Sequence, residues 1–134
     1  MGLNFNSVFA RSDYLMAGLQ VTVLIALGAI VISFIVGTAV AICRISRFRG
    51  LRIFASLYID VFRNTPFLIQ LYFLYYGLPD LGIPTEPVTT GVIALGLTGA
   101  AGNAEIIRSG IETVNKSVVD AARSFALTSS QVYR

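Results

Sequence analysis

Few side chains in this sequence could do chemistry, and their spacing excludes most of what they could do. Among 134 residues there is no His and a single Cys, Cys43. A Ser-His-Asp triad, a Cys-His pair, a zinc site built on His and an internal disulfide are all impossible within this chain. Cys43 has apolar neighbours at the end of a hydrophobic run and reads as a small packing side chain rather than a redox centre. Asp60 and Glu105 are the acids set in apolar surroundings, but they lie on different segments, so paired-carboxylate catalysis within a membrane has no basis. Asn115-Lys116-Ser117 lacks the glycine-rich approach of a phosphate-binding loop, so no ATP site of that kind is expected. No catalytic residue, metal site or cofactor is assigned. What remains is a set of polar groups near the interior of apolar segments: Asn64, Thr65, Gln70, Asn103 and Glu105. Together they offer both donors and acceptors.

The elements that hold these groups are set by composition. Hydrophobic residues make up 55% of the chain and charged residues 13%, with a mean hydropathy of +0.75. Soluble domains carry roughly a quarter charged residues, so an all-α polytopic membrane bundle is expected. From Tyr14 to Cys43 no residue is charged, and at about 1.5 Å per residue that run exceeds a hydrocarbon layer of roughly 30 Å. A cleaved signal peptide would need a basic segment before a shorter apolar core, and here Asp13 offsets Arg11. Two shorter uncharged runs cover Asn64 to Pro79 and Pro87 to Ala104. Three spans are expected, at about 16–42, 62–79 and 88–108.

Charge then sets their direction. Arg44, Arg47, Arg49 and Arg52 follow the first span, Asp80 and Glu86 separate the second from the third, and Arg108, Lys116, Arg123 and Arg134 follow the third. Short basic loops stay in the cytoplasm. Residues 1–13 are therefore expected outside, the arginine loop inside, the acidic loop outside and the tail inside. The net charge of +3 is topological by this reading, and no nucleic acid partner is expected.

Within the first span Thr22, Ala26, Ala29, Ser33, Gly37 and Ala41 recur at steps of three and four, placing small side chains on one helix face. Gly96, Ala100 and Ala104 repeat the device in the third span. Close packing between helices is the expected role of both stripes, ahead of lining a pathway. Arg52, Ser56, Asp60 and Arg63 form a polar stripe on an otherwise apolar helix, with Asp60 and Arg63 spaced to pair. A helix lying in the cytoplasmic interface is expected there, ahead of a deeper placement.

Pro66 interrupts that helix, because it has no N–H and clashes with the carbonyl four residues back. A fresh helix from Pro66 to Leu78 is expected, capped by Thr65 or Asn64. Pro79 to Pro87, with three Pro and one Gly, reads as a short outside turn. Glu105, Arg108, Glu112 and Lys116 form a charge ladder on the helix leaving the bilayer.

The tail from Asn115 to Arg134 has helical apolar spacing at Val118, Ala122, Phe125 and Val132, a pattern able to dock in a partner's groove. The run Asp120-Ala121-Ala122-Arg123-Ser124-Phe125-Ala126-Leu127, placed after a third span, resembles the EAA loop of permease subunits in ATP-binding-cassette importers. Three further stretches resemble the polar amino acid branch of that family, the His/Gln/Glu type. They are Val61-Phe62-Arg63-Asn64-Thr65-Pro66 leading to Gln70, Tyr75-Tyr76-Gly77-Leu78-Pro79, and Ala104-Glu105-Ile106-Ile107-Arg108-Ser109-Gly110-Ile111. Four segments in order cover nearly the whole chain.

The resemblance implies a type I importer permease fold with three of about five spans present, in a domain running over 14–134. It implies half of a transmembrane pathway in the bacterial inner membrane, paired with an identical or related second permease. Two ATPase subunits, an extracytoplasmic solute-binding protein and an amino acid substrate complete the set. ATP hydrolysis would belong to the ATPase, so this chain is not expected to be an enzyme. Asp120, Ala121, Ala122, Phe125, Ala126 and Leu127, within a coupling segment at 115–134, would meet the ATPase. Asn64, Thr65, Gln70, Asn103 and Glu105 would border the substrate route. Two features depart from the family pattern. Ala126 stands where a Gly usually follows the helix, and the sequence stops at Arg134, before the Leu-Pro half of the loop and two further spans. An incomplete frame or fragment is expected. The competing reading is a membrane anchor or assembly subunit with no pathway of its own.

Overall fold

The computed structural model describes residues 11–114, 116–125 and 128. Helix α1 is Ser12–Ile45, α2 is Arg49–Asn64 and α3 is Phe67–Tyr72. A π-helical turn, Phe73–Gly77, leads into α4, Leu78–Asp80. After a short loop come α5, Pro87–Glu112, and α6, Lys116–Ser124. Among the described residues there is no strand.

Burial in this bundle is inverted relative to a soluble protein. The buried residues are small: Ala29, Ser33, Gly37 and Ala41 on α1, and Thr90, Ala94, Gly96, Ala100, Ala101 and Ala104 on α5. The large apolar side chains, among them Leu24, Leu27, Ile30, Phe34 and Ile35, are exposed. Lipid is as apolar as leucine, so large side chains gain nothing by turning inward, and helices associate where small residues let backbones approach. A Cβ placed on Gly37 would lie 2.9 Å from Asn103 Cβ and 3.0 Å from Ala100 O; one on Gly96 would lie 2.6 Å from Ile32 Cγ2. Both expected stripes thus meet in one seam. Thr22 and Ala26 are exposed and lie outside it; contact with α5 begins near Ile25, whose side chain faces Gly91.

Helices α1 and α5 are each long and apolar enough to cross a membrane. The expected span at 62–79 is not a single helix, because Pro66 divides it and the π turn interrupts its second half. Pro66 occupies the cap position and α3 starts at Phe67, with no side-chain cap from Thr65 or Asn64. The amides of Ile69 and Gln70 instead bond to Pro66 O at 3.0 and 3.3 Å. Through the π turn, Tyr72 stacks on Tyr76 and Tyr75 meets Tyr76 edge-on. The turn after α4 closes on Gly82, at φ +83, a conformation that favours a residue without Cβ.

Helix α2 packs into the bundle instead of lying apart from it. Its buried residues are Ala55 and Ile59, and Ile59 clusters with Ala41 and Ala104, flanked by Val40, Tyr58 and Ile107. On its polar stripe Asp60 and Arg63 are exposed, and no ion pair joins them among the described residues. An exposed pair at that spacing gains only about 0.2–0.5 kcal/mol, too little to fix two mobile side chains.

Candidate functional site

Pro66 leaves the carbonyl of Phe62 without its normal helical partner, because a proline at that place has no N–H. The partner is supplied from one turn into the next helix. Gln70 Nε2 donates to Phe62 O at 2.9 Å and to Thr65 O at 2.8 Å. Its Oε1 faces the Thr98 hydroxyl of α5 at 2.7 Å, and that hydroxyl also lies 2.8 Å from Ala94 O, so one proton serves both acceptors. Reversing the amide would set its oxygen against two carbonyls, which fixes the orientation. Thr65 and Gln70 line an apolar groove of about 370 Å³ with Val61, Phe62, Ile69, Phe73 and Leu74.

The other route candidates sit elsewhere. Asn64 is exposed, with Nδ2 bonded to Asp60 O at 2.7 Å. Asn103 faces α1, where Nδ2 donates to Ser33 Oγ at 2.7 Å. Gly99 permits this approach: a Cβ there would lie 2.8 Å from the same oxygen. Glu105 belongs to an ionic junction at the end of the bundle. Its Oε2 accepts from Arg108 Nε at 3.1 Å and Nη2 at 2.8 Å, and Arg44 Nε stands 3.9 Å from Oε1. Arg44 also donates to Ser56 of α2, whose hydroxyl donates to Arg52 O at 2.7 Å, and Arg108 donates to Glu112. Of the expected ladder, Glu105, Arg108 and Glu112 are joined, with Arg44 as an added member, and the side chain of Lys116 lies outside those described.

The five polar candidates do not converge on one cavity; they fall at the helix break, at the α1–α5 seam and at the ionic junction. Sequence reasoning missed Thr98 as the partner of Gln70, Ser33 as that of Asn103 and Arg44 as that of Glu105. One signal was available for the first of these contacts: Gln70 lies four residues after Pro66, and the carbonyl that Pro66 orphans lies four residues before it.

Beyond the junction, residues 113–115 separate α5 from α6. On α6 Asp120 and Ala121 are exposed, Ala122 is half-buried, and Phe125 just past its end is 81% exposed. Ala126 and Leu127 lie outside the described residues.

A family described as binding-protein-dependent transport system inner membrane component matches residues 29–134. This chain belongs to that family. Among curated relatives, the arginine transport system permease protein ArtQ of Bacillus subtilis is 37% identical over 91% of this chain and 56% of its own length. The probable glutamine ABC transporter permease protein GlnM of the same organism is 36% identical over 96% of this chain and 60% of its own. In a crystal structure of an amino acid ABC transporter with histidines, one chain superposes on all of this one with TM-score 0.87 and 33% identity, and this chain covers 63% of it. The chain thus spans little more than half the length of these curated relatives. The inner membrane component family and the superposition agree with the inverted burial: the molecule is a membrane-associated, all-α helical bundle with the importer permease fold.

Proposed function

We propose that this chain contributes half of the transmembrane pathway of an ATP-binding-cassette importer for polar amino acids. The observation that carries the reading is the superposition of the whole chain on a chain from the crystal structure of an amino acid ABC transporter. Relatives named for arginine, glutamine and cystine transport support an amino acid as the substrate class. Three spans, at about 16–42, 62–79 and 88–108, belong to a fold of about five, in a domain beginning near residue 14. The N-terminus and the loop at 81–86 face outside the bacterial inner membrane, and the arginine loop and the segment 115–134 face the cytoplasm.

The partners are a second permease, identical or related, a pair of ATPases and an extracytoplasmic solute-binding protein. ATP is hydrolysed by the ATPase. Helix α6 supports this division of labour: its exposed Ala121, with Phe125 beyond it, offers an apolar patch beside Asp120 for a groove in the ATPase. Docking a short rigid helix lets closure of the ATPases move the bundle to which it is joined. Asp120, Ala121, Ala122, Phe125, Ala126 and Leu127 form that contact. Asn64 and Thr65 border the route beside the break and Gln70 supports it from the groove it shares with Thr65, while Asn103 at the seam and Glu105 at the ionic junction border it at other levels of the bundle.

The test is uptake of radiolabelled arginine, glutamine and cystine by cells expressing the complete transporter. Asp120→Lys combined with Ala122→Arg is expected to lower uptake by about tenfold or more, the scale of a lost coupling free energy, while the permease remains in the membrane. Unchanged uptake would overturn the coupling role. An anchor without its own pathway would leave uptake insensitive to substitutions at Asn64 and Thr65 as well.

A further inference from the structure

Gln70, which follows the Pro66 break, hydrogen-bonds both to the chain before the break and to α5. Its two amide protons are committed to Phe62 O and Thr65 O, and its oxygen receives the Thr98 hydroxyl. No donor on this amide is left for a ligand. We infer that Gln70 and Thr98 form a clasp that makes the helix break move as one body with α5, so that Gln70 is a positioning residue for transport and not a substrate contact. This inference rests on the importer reading above.

The mechanical logic follows from the chain order. Helix α5 runs from the loop at 81–86 to the ionic junction, and α6 follows it after residues 113–115. Along the chain, a displacement of α6 reaches the bundle through α5. The seam passes that displacement to α1, but α3 bears no comparable stripe of buried small residues; none of its residues is buried. A hydrogen-bonded tie therefore has to do for α3 what close packing does for α1. Thr98 provides it at the level of the break, where Phe62 O and Thr65 O give Gln70 a fixed position. Tyr58 O–H, donating to Leu97 O at 2.6 Å, ties the preceding helix α2 to the neighbouring turn of α5. The break is thereby held from both of its sides.

The test uses the complete transporter in proteoliposomes, with uptake and ATP hydrolysis measured on the same vesicles for the amino acid that wild-type vesicles accumulate. Thr98→Val is expected to lower maximal uptake by about tenfold, the scale of one lost hydrogen bond, and Gln70→Leu, which also leaves Phe62 O and Thr65 O without that donor, by at least as much. The KM for the amino acid should stay within about twofold, and ATP hydrolysis should continue, so that more ATP is used per substrate moved. The double variant should be no worse than Gln70→Leu alone, because that substitution already removes the tie to Thr98. Thr98→Ser, which keeps the hydroxyl, should transport nearly as well as wild type. If Gln70→Leu does not assemble, the near-isosteric Thr98→Val carries the test. A raised KM in the Gln70 variant with a silent Thr98→Val would overturn the clasp and make Gln70 a substrate contact; additive losses would overturn it too. Wild-type vesicles that accumulate no amino acid would instead overturn the importer reading, an outcome separate from any of these.

Discussion

The α1–α5 seam and the Pro66 break hold helices together by opposite means. Along the seam the buried residues are mostly Ala and Gly, and the contact is mainly van der Waals over several turns, with the Asn103–Ser33 hydrogen bond crossing it. At the break the helices meet through a few directed bonds, with Gln70 and Thr98 at the centre. The seam has no slack in volume. The break has no slack in donors. Apolar burial yields little in lipid, so a membrane helix can be secured by getting close or by satisfying polar groups, and this chain uses each where the other fails. A proline-broken segment cannot present a continuous stripe of small residues to a neighbour, and the carbonyl it orphans would be costly to leave unpaired.

The largest effect should come from adding volume to the seam. Ala at position 96 would place its Cβ 2.7 Å from Ile32 Cβ, an atom fixed to the backbone that cannot rotate away. The helices must separate, and Gly96→Ala should destabilise the fold by about 1–3 kcal/mol, the usual range for overpacking. Thermal unfolding of the purified protein in detergent measures this. A neutral result would mean that the seam is loose and that the polar ties carry the bundle.

Removing a directed bond should cost less. Tyr58→Phe deletes the hydroxyl that donates to Leu97 O and keeps the ring against Phe62, whose centroid lies 4.5 Å away. Because Leu97 O can still accept its own helical bond, the loss should be about 0.5–1.5 kcal/mol, read by the same unfolding measurement. A larger loss would place α2 among the elements that depend on polar ties as strongly as α3 does.

The two regions were also unequally readable in sequence. Repeated steps of four among Ala29, Ser33, Gly37 and Ala41 have one geometric meaning on a helix, so the seam could be read directly. The charge ladder over Glu105, Arg108 and Glu112 was legible for the same reason, since spacing along one helix decides which side chains meet. Partners on other helices were not legible: Ser33 for Asn103, Thr98 for Gln70 and Arg44 for Glu105 depend on how α5 is rotated and translated against its neighbours. The break at Pro66 was plain from proline chemistry, but its cap was misassigned to Asn64 or Thr65, the customary choices. The orphaned carbonyl belongs to the preceding helix, and a long side chain one turn beyond the break reaches it better than a short one beside it. The expected pairing of Asp60 with Arg63 failed for a related reason, since correct spacing on an exposed face supplies too little energy to enforce contact.

The smallest effect should have the opposite sign, and it isolates what makes the seam special. Gly18 lies on α1 like Gly37, but a Cβ built there meets nothing within 4 Å. Gly18→Ala adds the same methyl as Gly96→Ala to another helix interior, so intrinsic helix propensity changes equally in both. Without a neighbour to displace, that propensity alone should stabilise α1 by about 0.5–1 kcal/mol. Comparing the two variants by thermal unfolding in the same detergent cancels the propensity term and leaves the cost of separating α1 from α5. If both variants lost stability equally, close approach at Gly96 would not be what holds these helices together, and glycine would be serving backbone flexibility in each.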